Sequence, residues 1–303
     1  MLNALQAAFE RRELPEKDLR RAFALFEGYQ PKLTAHVQRW TEAHPGSYAA
    51  HLALGAHLAS EAWWHRTYRR AMDVPEKNWA RVAQACEGAA GQLNDAMRST
   101  AEPSLAAATR MELKTLWSQD TWDGYIEAVQ RCPTSLAVRL AKIGDLRPEW
   151  GGSIEGMYAF LQRPEHASLS DEDRLALHAN VLHCEGHHLK HFQNDIPGAI
   201  AKFEASLAVQ VSSYALSGLA DALESTDIHR AEQAYRQALA LEPYKRDGRA
   251  QLGLFLILHR QQYREGMKLV RQARAAGSPL ANDFMSNAPR WLIVLFSGLA
   301  LFR

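Results

Sequence analysis

Through most of the chain apolar residues recur at three- and four-residue spacing. Ala50 to Trp64 and Trp79 to Met97 are two such stretches, with an apolar face and a polar face, the period of an amphipathic α-helix. Short breakers divide them: Gln30-Pro31, His44-Pro45-Gly46-Ser47, Val74-Pro75, Glu102-Pro103, Cys132-Pro133, Arg147-Pro148 and Gly151-Gly152. Proline and glycine at these points end one helix and set the start of the next. Breaks this short join antiparallel neighbours. Strand-favouring Val/Ile/Thr runs are scarce. The pattern predicts an all-α fold, an α-solenoid of antiparallel helix pairs.

A longer period begins near residue 179. Gly186, Gly218 and Gly253 stand in register, 32 and 35 residues apart. Thirteen residues after each comes a small residue (Ala199, Ala231, Gly266), four further on a large apolar one (Phe203, Tyr235, Val270), and three beyond that a small one again (Ser206, Ala238, Ala273). The strings AIAKFEASLAV (199–209) and AEQAYRQALAL (231–241) share this pattern over their whole length. Small side chains let two helices approach closely, and the large one fills the space between successive pairs.

This unit resembles the tetratricopeptide repeat, a helix-turn-helix of about 34 residues. It departs from that repeat in three ways. The first-helix tryptophan is missing, the turn between the paired helices is one residue longer, and the closing proline appears only as Pro243. The resemblance implies two regions, which also read as one continuous solenoid. Residues 1–165 would form an N-terminal helical-pair array, and 166–303 three tetratricopeptide-like repeats with an apolar C-terminal helix. Solenoid ends need caps, and the helices before Gln30 are candidates for one of them.

A second resemblance rests on Trp40…Pro45-x-Ser47-x-x-Ala50-x-Leu52-Ala53-x-Gly55, Ala62-Trp63…Arg66, and Leu146-Arg147-Pro148-x-Trp150-Gly151-Gly152-Ser153. These residues are similar to an uncharacterised bacterial family of unknown function, over about residues 35–240. Its members are helical-repeat proteins, and the resemblance carries no catalytic residues. Trp150 to Ser153 itself reads as a tight turn ending at a Ser153 helix cap, with the tryptophan packed over it.

Composition changes this picture little. Of 303 residues, 47% are hydrophobic and 23% charged, ordinary values for a folded globular chain. Thirty-five basic residues against thirty-four acidic ones leave a net charge of +1, so no global field draws in nucleic acid or an anionic membrane. Cys86, Cys132 and Cys184 are dispersed and odd in number, with no CxxC. That argues against a disulfide framework or a structural zinc site and fits a reducing compartment. The N-terminus lacks a secretory pattern. Trp291 to Phe302 (WLIVLFSGLALF) is twelve residues long, short of the about 20 a bilayer span needs. A cytoplasmic protein is expected.

The candidate chemistry is concentrated in VLHCEGHHLKHF, residues 181–192. On a helix His183, His187 and His191 form one stripe. The outer two stand about 12 Å apart, too far to share an ion, whereas one neighbouring pair could. The zincin order H-E-x-x-H is absent. The tetratricopeptide register implies something else: Asn180, His183, His187, Lys190 and His191 take positions that line a partner-binding groove, continued by Leu219, Leu223, Leu254 and Leu258. The groove would be polar at one end and apolar at the other. It would be covered by a partner or by Trp291 to Phe302. The remaining reading makes the histidines surface or interhelix residues. His51, His57, His65, Trp63, Trp64 and Trp79 read as packing residues.

No G-x-S-x-G elbow, Walker loop or dinucleotide fingerprint occurs. Asp171-Glu172-Asp173 and Asp120-Thr121-Trp122-Asp123 read as helix starts. The expectation is a non-enzymatic protein-binding module without cofactor. By class analogy it is narrowed to an immunity-type protein that neutralises a toxin domain. The alternatives are a metal-dependent hydrolase using the histidine stripe and a peripheral membrane scaffold using the C-terminal segment.

Overall fold

Every regular element is helical in the computed structural model, which describes residues 1–67, 71–117, 119–243 and 245–287. The α-helices among the described residues are α1 (Leu2–Glu10), α2 (Glu16–Phe23), α3 (Pro31–Ala43), α4 (Tyr48–Arg66), α5 (Glu76–Arg98), α6 (Ser104–Leu116), α7 (Trp122–Arg131), α8 (Leu136–Asp145), α9 (Ile154–Leu161), α10 (Asp171–Phe192), α11 (Ile196–Val209), α12 (Ser213–Leu223), α13 (Ile228–Leu241), α14 (Arg246–Leu258), α15 (Tyr263–Ala275) and α16 (Pro279–Asn287). Helices pack largely against their neighbours in the chain, the pairing of an α-solenoid. The chain divides into two units, Met1–His65 with Glu76–Cys184, and Arg66–Pro75 with the chain from Glu185 onward. The division falls inside α10. Trp291 to Phe302, and with it the expected apolar C-terminal helix, lies outside the described residues. Among the described residues no helix is long and apolar enough to cross a membrane.

In the first unit the breakers do what the pattern predicts. Ser47, Ser135, Ser153 and Ser170 each accept a backbone N–H three residues on, satisfying a donor that the first helical turn leaves open. Gly151 adopts φ +91°, and a Cβ on Gly152 would lie 2.0 Å from the Leu146 carbonyl oxygen. The Trp150-Gly-Gly-Ser turn therefore tolerates no side chain at either glycine, and the Trp150 ring meets Trp63 edge-on. Side chains of the two N-terminal helices hydrogen-bond the starts of α4 and α8 and the segment before α6. Asn3 Oδ1 accepts from Ser47 Oγ (3.0 Å) and the Ala49 N–H (3.1 Å). Glu16 accepts from Ser135 Oγ (2.6 Å) and the Ala137 N–H (2.8 Å). Gln6 donates to the Glu102 carbonyl (2.8 Å).

The core of this unit contains charge. Arg139 is fully buried and donates to the carbonyls of Ser135 (2.7 Å), Pro133 (2.8 Å) and Glu165 (2.7 Å). Buried Lys142 donates to Thr121 Oγ1 (2.6 Å) and Asp145 Oδ2 (2.8 Å), with its ammonium 4.0 Å from the Trp122 ring centroid. Hydrogen bonds of this kind offset the cost of burying a cation, although the Arg139 Nε has no partner among the described residues. Of the expected packing histidines, His51 and His57 are in the core and His65 is half-buried. His51 engages Gln92 (2.9 Å) and the Pro45 carbonyl (2.7 Å), and His57 engages Thr34 (2.9 Å).

The second unit is built by shape. A Cβ on Gly186 would lie 2.9 Å from the Phe203 ring, and one on Gly218 2.4 Å from the same ring, so Phe203 is clasped between two helices of successive repeats. In the third repeat a Cβ on Gly253 would lie 2.8 Å from the Gly266 carbonyl oxygen and 2.9 Å from Val270. Ala199, Ala231, Ser206, Ala238 and Ala273 are buried, as are Phe203, Tyr235 and Val270. The repeated helix starts are also shared. Asp195 and Asp227, 32 residues apart, each accept the backbone N–H three residues on. The longer turn is met at Asn194 and Gln261, each at φ 55° and each eight residues beyond its register glycine.

Candidate partner-binding face

The C-terminal part of α10 follows Gly186, whose lack of a side chain holds that helix against Phe203. His187 and His191 point away from that side, whereas Lys190, four residues after Gly186, stays close to it and reaches α12. His187 and Lys190 are half-buried and His191 is exposed. The His187 and His191 rings lie 4.5 Å apart at their centroids, as the four-residue spacing requires. Asn180 and His183 lie in the part of α10 that belongs to the first unit. Both are half-buried, and Asn180 Oδ1 faces the Cys184 thiol at 3.9 Å.

The stripe is organised by a residue that the sequence reading passed over. Asp221 of α12 binds the Lys190 ammonium through its carboxylate, and its carbonyl accepts from Lys190 at 2.6 Å. The other carboxylate oxygen stands 3.1 Å from His191 Nε2. Burial acts to raise the Asp221 pKa, but the hydrogen bonds from His191 and Lys190 outweigh it and hold the carboxyl below its usual value. Asp221 thus stays ionised as an anchor between neighbouring repeats. The signal was present in the sequence, because Lys190 and Asp221 are 31 residues apart, close to one repeat. A parallel link follows one repeat later: Glu224 meets His259 Nε2 at 3.3 Å and accepts from the Tyr235 hydroxyl at 2.8 Å.

The expected apolar end differs from its sequence reading. Leu219 and Leu223 are buried in the core that α11 to α14 share, together with Phe203, Tyr235 and Phe255. Helix α12 packs on both α11 and α13, and this enclosure leaves its register leucines inside. Leu254 is half-buried, and Leu258, 65% exposed, is the register leucine that offers open apolar surface. Among the described residues no group of three or more His, Cys, Asp or Glu side chains is placed to hold a metal ion. The three cysteines are buried as free thiols. Burial pushes the Cys132 thiol up to about 12 and the Cys184 thiol up to about 11, so neither is poised as a nucleophile at neutral pH.

Residues 18–127 match a family described as a domain of unknown function (DUF4034). The matched segment lies at the N-terminal end of the resemblance expected over about 35–240. It contains the Trp40 to Arg66 motif and stops before Leu146 to Ser153 and before the repeats. No curated protein matches the chain.

Proposed function

We propose that the second unit is a non-enzymatic protein-binding module of tetratricopeptide-like design. Its contact residues are His187, Lys190, His191 and Leu258, and Asp221 holds the polar end in place. The observation that carries this reading is a division of labour. The register residues that build the stack, from Gly186 and Phe203 to Gly253 and Val270, are turned inward. Exposed His191 and Leu258 take no part in that packing. Imidazole, ammonium and an exposed leucine suit a partner that presents carboxylates or backbone carbonyls beside an apolar side chain. The narrower reading, neutralisation of a toxin domain in the manner of an immunity protein, names the partner class to test first.

The test is capture of interacting proteins from the native host by wild type and by two variants of unchanged helicity, His187→Ala/His191→Ala and Leu258→Asp. One stoichiometric partner, retained by wild type and lost by both variants, is the expected result. Equal recovery by all three proteins would remove this face from consideration.

A further inference from the structure

Helices α11, α13 and α15 of the second unit differ in how their charges are met. Arg230 of α13 pairs with Glu204 of α11 at 2.7 Å, and Arg236 of α13 pairs with Glu232 at 3.0 Å and with Glu265 of α15 at 2.9 Å. Glu265 is the one carboxylate of α15, and Arg236 already holds it. The same helix carries Arg264, Lys268, Arg271 and Arg274, all exposed. Its buried residues are Gly266, Met267, Val270 and Ala273. At about 100° per residue Arg264, Lys268 and Arg271 fall within an arc of about 60° on the opposite side, spread over about 10 Å of helix. Lys268 and Arg274 make no ion pair or side-chain hydrogen bond among the described residues. The whole chain carries a net charge of only +1. The excess on α15 is therefore local, and it acts on a surface within about 8 Å at physiological salt.

A second feature follows in the chain. Residues 276–278 turn it from α15 into α16, which packs back on α15. Trp291 comes four residues after Asn287, the last residue of α16, a stretch of at most about 14 Å. From Trp291 to Phe302 no residue is charged, and Arg290 and Arg303 stand at the two ends. Tryptophan and arginine beside an apolar run are residues that sit where hydrocarbon meets water. A helix of this length would be about 18 Å long, against about 30 Å of hydrocarbon in a bilayer, so the run suits one leaflet and not a span. A nucleic acid would engage the cations and leave the apolar run unused. An anionic lipid surface engages both.

We propose that the outer face of α15 docks on a membrane surface rich in anionic phospholipid, with Trp291 to Phe302 entering the leaflet beside it. Arg264, Lys268 and Arg271 lie against the headgroup phosphates, and Arg274 adds to them from the flank. Arginine takes a phosphate through two N–H groups at once, and lysine takes it as a point charge. Each basic residue near such a surface contributes about fivefold in affinity. Stable attachment takes two signals together, here a basic patch and an apolar insertion that adjoin in the chain. This docking is separate from the partner-binding reading, whose contact residues are on α10 and α14.

The full-length protein is sedimented with phosphatidylcholine vesicles, with and without phosphatidylglycerol, at low and at high salt. Binding is expected to the anionic vesicles, and it falls as salt is raised. Lys268→Gln/Arg271→Gln is expected to weaken it by about 30-fold and to flatten the salt dependence. Leu292→Ser/Leu295→Ser also weakens it but leaves the salt dependence in place, a split that general unfolding does not produce. Circular dichroism on both variants confirms the helices. Absence of sedimentation with the anionic vesicles overturns the proposal. So does equal binding to the neutral vesicles, or full binding by either variant. A DNA duplex bound as tightly as the anionic vesicles would make the stripe a general phosphate site and overturns it as well.

Discussion

The two units reach an all-helical core by different physical means. The second is specified by shape: glycines at 186, 218 and 253 admit a ring, an aliphatic side chain or a backbone that any Cβ would obstruct. The first carries polar and charged side chains within its core, held by long-range hydrogen bonds. Arg139, Lys142, His57 and His166 are buried there, and side chains of α1 and α2 close the starts of later helices. A shape-specified stack tolerates changes that keep volume and fails on added atoms. A polar-specified core tolerates little loss of a partner, because what remains is a buried group without its bond. The proposed partner face of the second unit is what its packing leaves exposed.

The largest effect is expected from Arg139→Ala. It removes a fully buried cation and leaves the carbonyls of Ser135, Pro133 and Glu165 each short of a partner. The expected loss is about 3–5 kcal/mol, read from urea unfolding midpoints. Hydrogen exchange should rise in α7 and α8 peptides and stay unchanged in α12 and α13. A loss below about 1 kcal/mol would show that the buried polar network is not what specifies this unit.

Next is Gly218→Ala, where the added carbon meets the Phe203 ring at 2.4 Å. Overpacking of this kind costs about 1–3 kcal/mol, here offset in part because alanine is the better helix former by about 1 kcal/mol. Pairing it with Phe203→Leu should recover part of the loss, since the smaller side chain makes room. The non-additive term of that double-mutant cycle measures the clasp directly. Strict additivity would mean that the ring does not set the helix separation.

These expectations also mark what the sequence makes legible. The register of Gly186, Phe203 and Ser206 and its two copies survives in space because small-large-small periodicity is itself a statement about contact distance. Ser153, Ser170 and Ser47 are legible as caps because capping is local. Three things were not legible. Leu219 and Leu223 occupy register positions that imply a groove, yet they are buried, because enclosure of α12 depends on how its neighbours sit. Nothing local marks Arg139 and Lys142 as buried, since their partners come from segments as distant as Glu165 and Thr121. Asp221 belongs to a site assembled across helices, marked by no local spacing and only by its near-repeat separation from Lys190.

The smallest effect per group, and the one that separates the units without a mutation, comes from pH. Burial lowers the pKa of His57, His65 and His166, all in the first unit, from the usual 6.5. The unfolded chain then binds more protons than the folded one in the interval below about 6.5, so stability rises with pH there. The contribution is fully present above about 6.5 and is lost as pH falls through the folded values. Asp221 in the second unit is shifted downward as a carboxyl, from 3.8. Its contribution is present above that value and is lost only as pH falls through its lowered folded pKa. Hydrogen exchange compared at neutral and mildly acidic pH should therefore show loosening around α3, α4 and the segment near His166, while the link from Asp221 to Lys190 and His191 holds. Replacing His57 and His166 by glutamine should flatten the first response and leave the second in place. Loosening of α12 at the same mildly acidic pH as α4 would mean that the polar and shape-specified cores are not the separate systems their contacts describe.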